Sequence, residues 1–220
     1  MIYTRNDPGG WGGGQGTWST SDQYTTSNYV NGSNYYCPAA AHKLAAWTDP
    51  TAFDTYVDSL TPTGNTYHDI GLLWGARLMS PTGIFASENA TTPQGGEIER
   101  HMIFMTDGDP CSDPGDYAAY GVQWFDRRET SSGSAPTGGC TTTGTLTAQI
   151  NARTDALCTA IKNKNITLWV ITFGSVASST VTRLTACASP GKYFSANNAA
   201  QIQSTFASIA DQISALRLTR

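Results

Sequence analysis

Two stretches of the chain are apolar without interruption, and both stop abruptly on turn residues. His101–Thr106 runs into Asp107-Gly108-Asp109-Pro110, and Ile166–Phe173 runs into Gly174. Short continuous apolar runs with β-branched and aromatic members, bounded by Gly, Pro or Asp, predict buried parallel strands. Lys192–Ala196 predicts a third, shorter strand. Between them the apolar residues recur at helical spacing. Thr66–Met79 places Ile70, Leu73, Trp74, Arg77 and Leu78 on one predicted stripe, and Gly71 and Gly75 on a shared face. Two glycines inside a helix cost about 1 kcal/mol each. Close approach of that helix to a sheet is the expected compensation.

Further helices are predicted over residues 145–163, with Leu146, Ile150, Leu157 and Ile161 on the apolar stripe, and over residues 178–187. A last helix follows Asn198 as cap and carries Ile202, Phe206, Ile209, Ile213 and Leu216. Residues 50–60 read as a short helix, with Asp49 as N-cap and Pro50 in the first position. Residues 1–36 form a Gly/Ser/Tyr-rich loop or insertion, in which Asn31-Gly32 is a candidate hairpin turn. Residues 86–97 and 110–143 read as polar loops. The order helix, helix, strand, helix, strand, helix, strand, helix predicts an α/β domain with a parallel sheet and helices on both faces. Asp107 and Gly174 then fall on the same rim, outside the carboxyl ends of the strands, where open α/β sheets bind ligands.

Composition narrows the function classes. The chain has 220 residues, 39% of them apolar and 14% charged, with a net charge of −4. It has no basic cluster of the kind that neutralises phosphates, which argues against nucleic-acid binding. No apolar stretch approaches the ~20 residues of a membrane span, and the region after Met1 has no signal-peptide core. The expectation is either a soluble protein or part of a longer chain whose export and anchoring segments lie upstream. Cys37, Cys111, Cys140, Cys158 and Cys187 include no Cys-x-x-Cys pair, which argues against zinc. Cys111 and Cys140 bracket a Gly/Ser/Thr/Pro-rich loop, and Cys158 and Cys187 each fall near a predicted helix end. Two disulfides with Cys37 left over are one reading, and five reduced thiols the other. The low charge content favours an oxidising compartment.

The candidate chemistry starts at Asp107. Thr66 follows the turn Pro62-Thr63-Gly64-Asn65 at the head of the glycine-bearing helix. Its hydroxyl is an N-cap on one reading and an oxygen ligand on the other. Asp109 is either a further oxygen donor or a solvated turn residue, and the turn is the favoured reading. Asp107-x-Asp109 after a strand also resembles the opening of haloacid-dehalogenase-type phosphatases. Here no Gly-Asp-x-x-x-Asp magnesium motif follows, and there is no Gly-x-Ser-x-Gly elbow or phosphate loop. His42, His68 and His101 do not form a ligand spacing; His68, close to Thr66, is either a support behind the site or a surface or half-buried histidine, the latter being the favoured reading. Trp11, Trp18, Trp47 and Trp124 in loops are either adhesive contacts or pins for long loops.

Gly64-Asn65-Thr66-Tyr67-His68-Asp69-Ile70-Gly71-Leu72-Leu73-Trp74-Gly75-Ala76-Arg77-Leu78 and the exit Ser80-Pro81-Thr82-Gly83-Ile84-Phe85 resemble the threonine-loop helix of von Willebrand factor A (vWA) domains. The version they look like is that of TadG-type proteins of the tight-adherence (Tad/Flp) pilus assembly system. Met105-Thr106-Asp107-Gly108, Leu157-Cys158, Ile166–Ile171, Cys187-Ala188-Ser189 and Leu216-Arg217-Leu218 extend the resemblance over residues 37–220, with 110–143 as a loop insertion. The resemblance implies a Rossmann-like vWA fold. It implies a non-enzymatic protein-binding or adhesion module whose metal-ion-dependent adhesion site holds Mg²⁺ on Thr66 and Asp107. A partner's carboxylate, from a pilus or envelope component, would complete the coordination. The family's Asp-x-Ser-x-Ser motif after its first strand has no counterpart here. The expected domain is therefore N-terminally incomplete, and its metal site is complete only with that upstream segment. The parent is expected in the bacterial periplasm, anchored to the inner membrane by an upstream helix. A metal-free structural scaffold is the alternative.

Overall fold

The computed structural model describes residues 4–5, 18–19, 39–92, 94–114, 117–122 and 136–218. The chain forms two compact units that interleave along the sequence: Met1–Tyr67 with Cys111–Gln149, and His68–Pro110 with Ile150–Arg220.

The described part of the first unit is built from short elements. Helix α1 (Pro50–Asp58) starts as its sequence dictates. The Asp49 carboxylate accepts the Thr51 N–H at 2.9 Å and the Ala52 N–H at 3.4 Å, and Pro50 occupies a position that needs no donor. Cys111–Ser112 pairs antiparallel with Gly139–Cys140, with Cys111 directly opposite Cys140, and a disulfide joins the two. Ser112 is buried, its hydroxyl 2.8 Å from that of Thr147. The Asn31-Gly32 hairpin, Cys37, Trp11 and Trp124 lie outside the described residues.

The second unit carries a parallel sheet. Strand β1 (Arg100–Thr106) pairs with β2 (Ile166–Phe173), and β2 pairs with β3 (Tyr193–Ala196), giving the order β1-β2-β3. Around it lie α2 (His68–Met79), α3 (Ala86–Asn89), α4 (Thr145–Asn163), α5 (Ser178–Cys187) and α6 (Ala199–Leu218). Strand β2 is central and nearly all buried, because both of its faces are covered. On one face Leu168 and Val170 pack with Leu72 of α2, Cys158 and Ile161 of α4, and Leu184 of α5. On the other, Trp169 and Ile171 pack with Ile209 of α6, flanked by Phe194 and Ile213. The second disulfide, Cys158–Cys187, ties α4 to α5 beneath the first face. The architecture is α/β, a three-strand parallel sheet flanked by helices and compatible with a Rossmann-like fold.

The glycine-bearing helix meets the sheet on the face its glycines share. A Cβ at Gly75 would lie 3.0 Å from the Met102 sulfur, and one at Gly71 would lie 3.5 Å from the Phe104 ring. This close approach turns the helix relative to the sequence expectation. Leu72 is the buried apolar residue of α2, Ala76 and Met79 pack beside it, and Trp74 of the predicted stripe is exposed. Leu72 fills the face between helix and sheet, and the glycines beside it leave room for Met102 and Phe104 of β1, while Trp74 stays in solvent. In α6, likewise, Ile209 is buried while Phe206 remains exposed. Asn198 caps α6, accepting the Gln201 N–H at 3.0 Å.

Candidate functional site

Asp107 follows the last residue of β1, and Gly174 follows the last residue of β2. Since Thr106 and Thr172 are register partners in parallel strands, the two turns open at the same sheet rim. Gly174 takes φ 75°, a conformation that suits glycine. The Asp107 side chain is exposed and, among the described residues, makes no hydrogen bond or ion pair.

The backbone around Asp107 is held from below. His68, the first residue of α2, is buried, and its Nε2 lies 3.1 Å from the Gly108 carbonyl oxygen and 3.2 Å from the Thr106 hydroxyl. A carbonyl only accepts, so Nε2 carries the proton and donates to Gly108, and Nδ1 is the bare nitrogen. The Thr106 hydroxyl also accepts the Gly108 N–H at 3.3 Å. Both neighbours of Asp107 are thus fixed while its carboxylate stays open to solvent. Burial lowers the His68 pKa below its ordinary 6.5. The hydrogen bond to Gly108 and the charges of Asp109 and Asp69 oppose that shift, and the charge of Arg183 adds to it.

Asp109 is not the solvated turn residue the sequence favours. Its carboxylate is half-buried and accepts the Ala177 N–H at 3.2 Å, just ahead of α5. It therefore pins the β1 exit to the start of that helix, where a negative charge is favourable. Asp69, beside His68 in the first turn of α2, is buried and receives the Arg153 Nε–H at 2.6 Å. Sequence reasoning weighs His68 as a support of the site but favours a surface or half-buried histidine, which its burial and its contacts with Thr106 and Gly108 correct; it misses Asp69. The available signal was a pair of polar residues at the head of a helix otherwise apolar up to Arg77.

Thr66 belongs to the first unit and Asp107 to the second. Thr66 is half-buried, and its carbonyl accepts the Cys111 N–H at 3.0 Å. Helix α2 begins at His68, two residues further along the chain. Among the described residues no three His, Cys, Asp or Glu side chains come together as a metal-binding group. Mg²⁺ takes a near-octahedral oxygen shell and often keeps waters beside one or two carboxylates. The open Asp107 carboxylate suits one place in such a shell, but the described residues do not fit a self-sufficient metal centre.

Both loop-bracketing and helix-end cysteine pairs are bonded, Cys111–Cys140 and Cys158–Cys187. No helix among the described residues is long and apolar enough to cross a membrane. Comparison with family models, with curated proteins and with solved structures finds no match to this chain.

Proposed function

We propose that this chain is a non-catalytic protein-binding module of the vWA type, akin to TadG-like pilus assembly proteins, and that Asp107 is its recognition carboxylate. The observation that carries the reading is the state of Asp107. It is an exposed carboxylate at the carboxyl end of a parallel strand, with both neighbouring residues held by buried His68. A group that is open while its backbone is fixed suits binding, since little ordering remains to oppose association. The letters around Thr66 and Asp107 supply the family. By the same resemblance, Mg²⁺ joins Thr66 and Asp107 only when an Asp-x-Ser-x-Ser segment adds its oxygens, and a carboxylate from a pilus or envelope partner completes the set. Two disulfides support an oxidising location such as the periplasm.

A metal-free structural scaffold is the second reading, favoured by the lack of an Asp-x-Ser-x-Ser motif in the sequence. Calorimetric titration of the chain with Mg²⁺ and Mn²⁺ separates the two. Heat that disappears in Asp107→Ala supports the metal-assisted module. A silent titration supports the scaffold. Hydrolysis of a generic phosphomonoester, lost in Asp107→Asn, would overturn both in favour of a phosphatase.

A further inference from the structure

Helix α1 in the first unit has no buried residue, yet its sequence is amphipathic. Phe53, Tyr56, Val57 and Leu60 stand at i, i+3, i+4 and i+7, a single stripe along the helix and the residues just beyond it. The preceding segment extends this stripe rather than covering it. Trp47 stacks on Tyr56 with ring centroids 5.6 Å apart and meets Phe53 edge-on at 5.4 Å. His42 closes on Tyr56 at 4.4 Å, and the Tyr56 hydroxyl donates to the Ala40 carbonyl at 3.3 Å. The rings are therefore ordered against one another, but Leu44, Trp47, Phe53, Val57 and Leu60 remain 40% to 54% exposed. Scattered exposed apolar residues are ordinary, whereas a contiguous aromatic patch of this kind marks an interaction surface.

The charge beside the patch is one-sided. Residues 39–60 contain three aspartates, Asp49, Asp54 and Asp58, and one lysine, Lys43. Asp49 is engaged as the helix cap. Asp54 and Asp58 are four apart and follow Phe53 and Val57 by one residue each, so at 100° per residue they line one border of the stripe. At 1.5 Å per residue α1 is about 14 Å long, and about 10 Å across with its side chains. A face of that size matches two to three turns of another helix. A second copy would bring the same Asp54–Asp58 border, and like charges set against one another disfavour that contact.

We propose that this face docks an amphipathic helix of a partner protein, with its apolar side on the Trp47–Phe53–Val57–Leu60 stripe and lysines or arginines along the Asp54–Asp58 border. This is helix-to-helix recognition by spaced apolar anchors, with border charges setting partner choice. It is independent of Asp107 and of any metal, so it stands or falls separately from the reading above.

The test is amide chemical-shift mapping on the full chain with a synthetic 18-residue Leu/Lys amphipathic helix, and with its Leu/Glu twin. The expected result is saturable shifts confined to residues 42–60 with the Lys peptide, unchanged by a chelator, and about ten-fold weaker binding of the Glu twin. The double variant Asp54→Lys/Asp58→Lys should reverse that preference, and Phe53→Ala should weaken both peptides. Because α1 buries none of its residues, unshifted amides elsewhere verify that the variants remain folded. Equal binding of both peptides by the wild type would overturn the proposal. So would shifts outside this segment, an absence of shifts, concentration-dependent shifts without peptide, or equal shifts caused by phosphatidylcholine vesicles.

Discussion

The close contact of α2 with β1 makes opposite predictions for two glycines one turn apart. Alanine at either position relieves the helix penalty of glycine, about 0.8–1 kcal/mol. At Gly71 the new methyl would meet the Phe104 ring at 3.5 Å, an ordinary van der Waals distance. Gly71→Ala should therefore stabilise the protein by about 0.5–1 kcal/mol. At Gly75 the methyl would lie 3.0 Å from the Met102 sulfur and 3.3 Å from its terminal carbon. Overpacking of this kind costs about 1–3 kcal/mol, and a flexible methionine holds the cost near the lower end. The net effect of Gly75→Ala is then roughly neutral to 1 kcal/mol destabilising. The two variants should differ by about 0.5–2 kcal/mol, or roughly 1–8 °C in melting temperature for a chain of this size. Thermal unfolding followed by circular dichroism reads the difference directly. Removing the obstruction provides the control: in a Met102→Ala background, Gly75→Ala should become stabilising, with a coupling of at least about 0.5 kcal/mol. Two results would refute the close approach of helix and sheet at this point. One is Gly75→Ala raising the melting temperature as much as Gly71→Ala. The other is an identical response in the Met102→Ala background.

Three further outcomes follow from the second unit. Arg153→Met should destabilise by about 2–3 kcal/mol in urea titration, because it leaves buried Asp69 without its cation while the exposed part of Arg153 limits the loss; a change under 0.5 kcal/mol would mean that water already serves Asp69. Cys158→Ala/Cys187→Ala opens a bridge between residues 29 apart, and chain entropy predicts a loss of about 3–4 kcal/mol, measurable as a shifted denaturant midpoint. With the His68 pKa lowered in the folded state, the unfolded chain takes the proton first. Stability should therefore fall as pH drops below about 6.5 and level off below the folded value, and His68→Phe should flatten that part of the stability–pH profile.

Much of the second unit was legible because β2 is buried on both faces and the helices carry strong punctuation; the β1 run reads the same way in sequence, yet Ile103 and Met105 are exposed, so the expected burial fails on one of its faces. The β2 run and the helices over 145–163 and 178–187 have the limits their letters predict. The orientation of α2 was less legible. Periodicity weighs large apolar residues most, so it selected the flank bearing Ile70 and Trp74, whereas the helix approaches the sheet through Gly71 and Gly75. The two glycines did predict that approach; the stripe beside them pointed elsewhere. Asp107 could be read from its place after a strand. The use of Asp109 by the Ala177 N–H could not, because that contact joins residues 68 apart. The same limit applies to Asp69 with Arg153, which are 84 apart. Spacing rules describe neighbours along an element and are silent about which elements meet.

The distribution of buried polar groups bears on the choice between recognition module and scaffold. The lower part of the sheet core is apolar, with Cys158, Ile161, Ile166 and Leu168 packed together. Toward the carboxyl ends of β1 and β2 the interior changes character: His68, Asp69, Thr172 and Thr180 are all buried. Thr172 reaches the Tyr193 hydroxyl at 2.8 Å, but His68 Nδ1 and the Thr180 hydroxyl have no partner among the described residues. Each buried polar atom left without a hydrogen bond costs about 1–3 kcal/mol. A sheet that served only as a frame would be more stable with apolar residues at these positions. What the polar residues provide is local geometry: His68 grips the two neighbours of Asp107, and Asp109 anchors the same turn to α5. Buried polar residues also lie elsewhere, at Asn89, Thr154 and Thr205, so it is the His68 and Asp109 contacts on this turn, rather than polar burial itself, that speak for a site held for recognition. On that ground the rim around Asp107 favours the binding module over the scaffold, whether or not a metal takes part.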